Sequence, residues 1–251
     1  MTGNGRKPGQ DAVLTPAYRP LYLQIREAFT RRMASGDWSP GMLLPSEMAL
    51  AQEYGVSQGT IRKALDAMAA DRMIVRHQGR GTEVARHDDE RALHQFFHIV
   101  GHDGRRQLPV SSILSCSLEQ ADRGTAEALG LEAGAAVVSI QRLRSLSDQP
   151  VMIDWIHVPA RLFPGLEHAR SDIPNAVYEL FQKRYRISVQ RALERLLAVP
   201  ASAADARLLG VEQRTPLLEI RRTAFDLADR PVEYRVSRCL TSHHHYRNDL
   251  N

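Results

Sequence analysis

"GVSQGTIRKAL", residues 55–65, decides how this chain is read. Its front is polar and bears a glycine (Ser57, Gln58, Gly59, Thr60). Behind it Ile61, Arg62, Lys63 and Leu65 mix apolar and cationic side chains. Ser57 is a natural N-cap, since its oxygen can take a backbone N–H of the first turn. Ile61, Ala64, Leu65 and Met68 then fall on one helical stripe. Gly59 costs roughly 1 kcal/mol of helix stability relative to alanine. What it offers in return is a first turn without a Cβ, against which another molecule can lie close.

Working outward, Leu21, Ile25, Ala28, Phe29 and Met33 recur at helical spacing and stop at Ser35-Gly36. "WSPGMLLP" is a loop, punctuated by Pro40-Gly41 and Pro45. Ser46 caps a short helix from Glu47 to Glu53 that turns Leu50 and Ala51 inward. After the helix that follows Ser57, "MIVRHQGRGTEVA" holds two short β-type runs, Ile74–Arg76 and Thr82–Val84. They flank a Gly79-Arg80-Gly81 tip and read as a hairpin. Two short helices joined by a tight turn, with the second one capped, form a helix-turn-helix. Its second helix reads bases from the major groove. Gln58 suits adenine, Arg62 suits guanine or a phosphate, and Thr60 can donate to either. The N-terminus at Ser57 favours a phosphate. The hairpin tip, with Arg76, His77, Gln78 and Arg80 around its glycines, suits the minor groove. Lys63 and Arg76 are expected mainly on phosphates.

Over this stretch the chain resembles the winged helix-turn-helix domain of GntR-family transcription regulators, on "G.W.PG..LPSE..LA...GVS..T.R.AL" and "R.QGRGT.V". The resemblance implies a DNA surface of Ser46, Glu47, Ser57, Gln58, Gly59, Thr60, Arg62, Lys63, Arg76, Gln78, Gly79, Arg80, Gly81 and Thr82. Two positions depart from it. Met48 and Gln58 stand where the family commonly has arginine, so a shifted base preference is expected.

The rest of the chain alternates differently. Strand-like runs lie near 111–118, 136–146, 151–158, 187–199, 216–226 and 231–240, with helical stretches near 121–130, 174–184 and 202–210. Without a regular βαβ beat this is an α+β domain with a mainly antiparallel sheet. No internal repeat is read in it. "VSIQRLRSLSDQPVMIDWIHVPARLFPGL" and "LLEIRRTAFDLADRPVEY" resemble the effector-sensing UTRA domain of the HutC subfamily, which shares the chorismate-lyase fold. Carried over by position, the resemblance implies effector contacts at Arg142, Arg144, Asp154, the Asn175-Ala176 turn before Tyr178, and Glu233. Relatives usually have serine or threonine near 175–176. Arginines on alternate strand positions share one face. Two of them suit a carboxylate or a phosphate. The alternative stays open that they are solvated or simply pair with Asp154 and Glu233.

The expected organisation is therefore a loose arm over 1–17, a winged helix-turn-helix over 18–85, a charged linker over 86–93, and an effector-binding and dimerisation domain over 94–251. The expected partners are pseudo-palindromic double-stranded operator DNA, a small anionic effector and a second copy of the chain. Composition fits a globular, cytoplasmic protein. Of its 251 residues 43% are apolar and 25% charged, and the net charge is +4. No apolar run reaches the ~18 residues of a membrane helix, and the N-terminus lacks a signal-peptide core. Cys116 and Cys239 read as reduced structural thiols. His94, His98 and His102 are four apart and His243-His244-His245 form a run, but neither shows a complete ligand spacing, and no metal or cofactor is expected. Enzyme motifs are missing: no nucleophile elbow, no HExxH, no glycine-rich phosphate loop. Beyond Lys63 the only lysine is Lys183, which argues against a pyridoxal-phosphate enzyme. A rival reading has the second domain dimerise and sense nothing.

Overall fold

The computed structural model describes residues 19–87, 96–104 and 107–248. The expected arm over 1–17 and residues 88–93 of the expected linker lie outside these, as does His94. The chain divides into two compact units, Met1–Arg86 and His87–Asn251.

The first unit is three helices and a hairpin: α1 (Leu21–Ser35), α2 (Glu47–Tyr54), α3 (Gln58–Ala70), β1 (Ile74–His77) and β2 (Gly81–Val84). Its core is the apolar stripe of α3 (Ile61, Ala64, Leu65, Met68) set against Ile25, Ala28 and Phe29 of α1 and Leu50 of α2. Trp38 closes it, 4.9 Å from the Phe29 ring. Side chains of this size stabilise by about 1.5–3 kcal/mol each when fully buried. Gly55 ends α2 in the left-handed region, φ 63°, and returns its N–H to the Ala51 carbonyl. That conformation, easy only for glycine, sets the tight turn between α2 and α3. The hairpin runs one residue further than expected on each strand, with His77 opposite Gly81. Its tip is therefore Gln78-Gly79-Arg80.

The second unit centres on a six-stranded, wholly antiparallel sheet in the order β4-β5-β6-β9-β8-β7. Its strands are β4 (Val110–Gln120), β5 (Ala136–Leu146), β6 (Gln149–Pro159), β7 (Val189–Pro200), β8 (Pro216–Asp226) and β9 (Pro231–Leu240). Helix α4 (Arg123–Leu129) and helix α6 (Ala203–Leu209) pack on one face, over Val137 and over Ile153 and Leu217. On the other face lies α5 (Val177–Tyr185), with Phe181 and Tyr178 against Val138, Ile140, Ile156, Ala224 and Val232. All nine strands and helices read in this part of the sequence are present. Two features were missed: three 3-10 turns between Ala160 and Asp172, and a separate ribbon of β3 (Ile99–Gly101) and β10 (His244–Tyr246).

The expectation of no internal repeat is corrected. β4-α4-β5-β6 and β7-α6-β8-β9 are two copies of one unit. Asp122 and Ser202 cap the two helices, and Gly130 and Gly210 end them in the left-handed region. Trp155 and Val236, equivalent positions of β6 and β9, face each other in the register, so a pseudo-twofold axis passes between these strands. The sequence carries it: Leu129-Gly130, Glu132, Ile140, Arg142 and Pro150-Val151 recur as Leu209-Gly210, Glu212, Ile220, Arg222 and Pro231-Val232.

Candidate functional site

On the first unit the DNA-facing candidates gather around one carboxylate. Glu47 Oε2 accepts from Arg62 Nε (3.0 Å), Arg62 Nη2 (2.9 Å) and Gln58 Nε2 (3.2 Å), and Oε1 accepts from Arg76 Nη1 (3.4 Å). The Arg62 hydrogen bonds outweigh burial, which acts to raise it, and hold the Glu47 carboxyl below its usual range. Arg76 also reaches Asp66 at 2.7 Å. Ser46 and Ser57 cap their helices, taking the Ala49 and Thr60 amides at 3.2 Å. The Thr60 hydroxyl shares a 2.9 Å hydrogen bond with Ser57 Oγ. A Cβ on Gly59 would meet only Ser57 Oγ, at 3.8 Å, so packing inside the protein does not require glycine there. Met48 is 71% exposed on α2.

At the hairpin tip Gly79 and Gly81 have φ of 73° and 100°. Gln78 and Arg80 are exposed, and Arg80 has no ion-pair partner among the described residues. Thr82 accepts the Leu44 amide through its carbonyl at 2.8 Å. The Lys63 ammonium sits 4.4 Å from the Tyr22 ring centroid in a cation–π contact. Of the expected linker, Arg86 bonds Glu83 within the first unit (3.1 Å). His87 is buried in the second, where its amide meets Gln182 at 2.9 Å.

On the second unit the α5 face of the sheet carries a buried ionic cluster. Arg142 Nε donates to Asp154 at 2.6 Å, and its Nη1 donates to the Asn175 carbonyl at 3.1 Å. Asn175 Oδ1 accepts from Ser111 at 2.7 Å. Glu233 is taken up internally: Arg235 grips both its oxygens (3.0 and 2.7 Å) and the Tyr178 hydroxyl donates at 3.0 Å. Glu233 is thus an arginine partner here rather than a free ligand group. Asp154 likewise holds Ser237 at 2.6 Å, with Arg144 at 3.8 Å and Arg235 at 4.0 Å. Burial alone would raise the Asp154 pKa, but Arg142, Arg144 and Arg235 together drive it far below the usual carboxylate range. Burial, then Glu233, pushes Tyr178 up to about 12.

Two arginines were missed in the sequence. Arg222 is the repeat counterpart of Arg142, and Arg235 that of Asp154; both line the same cavity as Arg142 and Arg144. The repeat was the signal that would have found them. Arg222 is held by Glu194 at 2.5 Å and by the Phe96 carbonyl. Burial opposes its charge and that of Arg235, but the surrounding acidic groups outweigh burial and raise both. Four guanidinium groups therefore meet three carboxylates, Asp154, Glu233 and Glu194. Arg144 has no carboxylate of its own: it shares Asp154, at 3.8 Å, with Arg142, which holds that carboxylate at 2.6 Å. Its Nε is buried with no acceptor, and its face lies 4.7 Å from the Phe97 ring. Burial first, and Arg142 second, pull its pKa well down. The space left between the arginines, Asn175, Ala176 and Tyr178 is small, about 30 Å³, and Phe96, Phe97 and Leu108 also line it.

The histidines come together only in part. His102 stacks on His245 at 5.8 Å, and His102, His243 and His244 line a wider hollow of about 700 Å³. Among the described residues no group of three His, Cys, Asp or Glu has the geometry to hold a metal ion. Cys116 and Cys239 are free thiols. No described helix is long and apolar enough to cross a membrane.

A winged helix-turn-helix, followed by an α+β unit whose sheet buries an arginine cluster, defines the class: a DNA-binding transcription regulator with a second domain built to take a ligand. Residues 21–84 match the gntR family of bacterial regulatory proteins, and residues 104–245 match the UTRA domain. The chain belongs to this family; it is a metabolite-responsive transcription regulator, not an enzyme. It is 29% identical over 207 residues to the HTH-type transcriptional repressor NagR of Bacillus subtilis, covering 82% of this chain and 84% of that one. It is 27% identical to the mannosyl-D-glycerate transport/metabolism system repressor MngR of Escherichia coli, covering 86% and 90%. Among solved structures, the ligand-binding domain of a regulator assigned to the GntR family from Bordetella bronchiseptica is 38% identical. It covers 63% of this chain and 99% of that one, with a TM-score of 0.58.

Proposed function

We propose that this regulator is a homodimeric repressor that binds a pseudo-palindromic operator and releases or tightens on it when a small anion enters the arginine cavity. The charge balance of the cluster carries the reading. A buried guanidinium without its own carboxylate is costly, and an anionic oxygen is the group that would complete Arg144. A carboxylate or a phosphate has the forked geometry for it. The α3 side chains Gln58 and Arg62, with Thr60 and the exposed Arg80 tip, supply base and groove contacts. Ser57, Lys63, Arg76, Gln78, Gly79, Gly81 and Thr82 complete the DNA surface, with Ser46 and Glu47 setting its α2 edge.

A cavity of about 30 Å³ holds little more than one water. Entry of a metabolite therefore requires side chains of the lining to move, and those of Phe96, Phe97 and Leu108 are apolar and hold none of the arginines by a hydrogen bond. An effector acts on DNA affinity only through contacts that differ between two states, and the closed and opened cavities are two such states.

The test is fluorescence anisotropy on the DNA upstream of the gene against scrambled DNA, across a salt series. It is paired with thermal melts in small carboxylates and sugar phosphates. At a hundredfold excess over Kd a ligand adds about 2.7 kcal/mol to the native state. The expected result is sequence-preferring binding that one anion class shifts and that the same class stabilises thermally. Operator binding with no anion response would leave the arginine cluster a structural element of a dimerising domain.

A further inference from the structure

We propose that the hollow beside the β3–β10 ribbon is a second ligand site, separate from the arginine cavity, for an uncharged and mainly apolar molecule that carries a hydroxyl. The internal repeat supplies the comparison that argues for it. Gly130, at the end of α4, and Pro231, at the start of β9, have Gly210 and Pro150 as their repeat counterparts. Both glycines are left-handed, with φ of 60° and 69°. The first pair is closed: a Cβ on Gly130 would lie 3.7 Å from Pro231 Cγ. In the second pair a Cβ on Gly210 would meet nothing within 4 Å, and Gly210 and Pro150 both line the hollow of about 700 Å³. One copy of the repeat is packed shut at the place where the other stands open.

The hollow falls within the roughly 300–1,000 Å³ of metabolite sites. Its floor is apolar, with Ile99, Leu146, Val151 and Leu209 flanked by the half-buried Val211 and Leu240. Among the described residues that line it there is one carboxylate, Asp103, and no lysine or arginine, so nothing there balances an anionic head. Asp103 already has a partner within the protein and is not free for a cationic one. The polar group left over is an imidazole: His244 Nδ1 is buried and meets no hydrogen-bond partner among the described residues. Burial, then His102 and His243, lower the pKa of this ring and keep it neutral near pH 7. A neutral imidazole nitrogen donates or accepts according to its tautomer, and a hydroxyl, which does both, satisfies either. On the rim, Ser147 and Asp148 follow one another in the left-handed region, φ 48° and 61°, in a two-residue turn where asparagine and glycine are usual. Strain of this kind collects at ligand clamps. Ile99 also lines the gap beside Phe97 and Arg144, so an occupant bears on the strand that leads to the arginine cavity.

The experiment is a calorimetric titration of the full chain with naphthol, and with naphthoate and naphthylmethylamine, which keep the rings and change the charge of the head. It is repeated on Val211→Trp, which fills the hollow, on His244→Phe, which removes the nitrogen, and on Arg144→Met, with circular dichroism to show each folded. The expected result is that naphthol binds more tightly than either charged probe, that Val211→Trp abolishes its binding and that Arg144→Met leaves it unchanged. His244→Phe should weaken it about tenfold, the loss of one buried hydrogen bond. Naphthol binding unchanged in both hollow variants overturns the site, and a charged probe that binds more tightly overturns the ligand class. No binding of any probe overturns both. Binding that weakens as protein concentration rises seats a second copy in the hollow and overturns the proposal. If neither hollow variant folds, nuclear Overhauser contacts between naphthol and the Val151 and Leu209 methyls of the wild type decide, and their absence overturns it.

Discussion

Arg62 and Glu47 are joined across the helix turn by two hydrogen bonds to one carboxylate oxygen, from Nε at 3.0 Å and Nη2 at 2.9 Å. Arg62, proposed above to read bases, is thus held on the protein before DNA arrives, and the same carboxylate accepts from Gln58 at 3.2 Å. A carboxylate beside DNA also repels phosphates. Glu47→Gln is expected to tighten binding to non-specific DNA several-fold and to narrow the ratio of specific to non-specific affinity. By contrast, Arg62→Ala should cost about 1–3 kcal/mol on the operator alone if its base contact is bidentate. Anisotropy titrations on operator and scrambled DNA at two salt concentrations check both.

Arg142 and Arg144 should part company in the absence of ligand. Arg142→Met strips Asp154 of its closest partner inside the sheet and should destabilise by about 3 kcal/mol. Arg144→Met replaces an under-paired buried cation with an apolar chain of similar volume. It should be neutral or stabilising, yet abolish any anion-induced rise in Tm. Urea unfolding with and without the responding anion separates the two effects.

Acid sensitivity should follow Asp154. Its folded pKa lies below the unfolded value, so its contribution is present above the unfolded pKa and is lost as pH falls through the folded one. Stability of the wild type should therefore decline steadily below about pH 4, near the unfolded aspartate value. Asp154→Asn should be less stable at neutral pH and should decline less steeply in acid. Urea midpoints from pH 7 down to pH 2 provide the check.

The repeat allows one backbone test. Gly134 and Arg214 are equivalent, and their amides reach the equivalent carbonyls of Ala121 and Ala201 at 3.1 and 2.8 Å. Both have positive φ, 79° and 68°. A side chain in the left-handed region costs of order 1 kcal/mol. Arg214→Gly is expected to raise stability by about 0.5–1 kcal/mol, and Gly134→Ala to lower it by a similar amount, read as Tm shifts.

Periodicity made the framework legible. Ile61, Ala64, Leu65 and Met68 could form only one buried helical stripe, and alternation along 136–146 and 216–226 marked strands before any pairing was known. What stayed hidden was short or doubled. Three residues each of β3 and β10 are too few for a period to show. "IRRTAF" does not reveal which of Arg221 and Arg222 points inward, because that depends on a register set by the other strands. The partners of Glu233 were equally hidden: its oxygens are taken by Arg235 and Tyr178, which no spacing links to it. On the DNA side the residues were visible and their tether was not, since nothing in the spacing of Glu47 and Arg62 states that they touch.

The small size of the arginine cavity has a consequence in time. If the arginine cavity takes the effector, the ligand meets a door that opens at its own rate. Association would then rise with metabolite concentration only until opening becomes limiting, and level off. Above that concentration, the delay between a change in metabolite and a change at the promoter would be a property of the cavity lining.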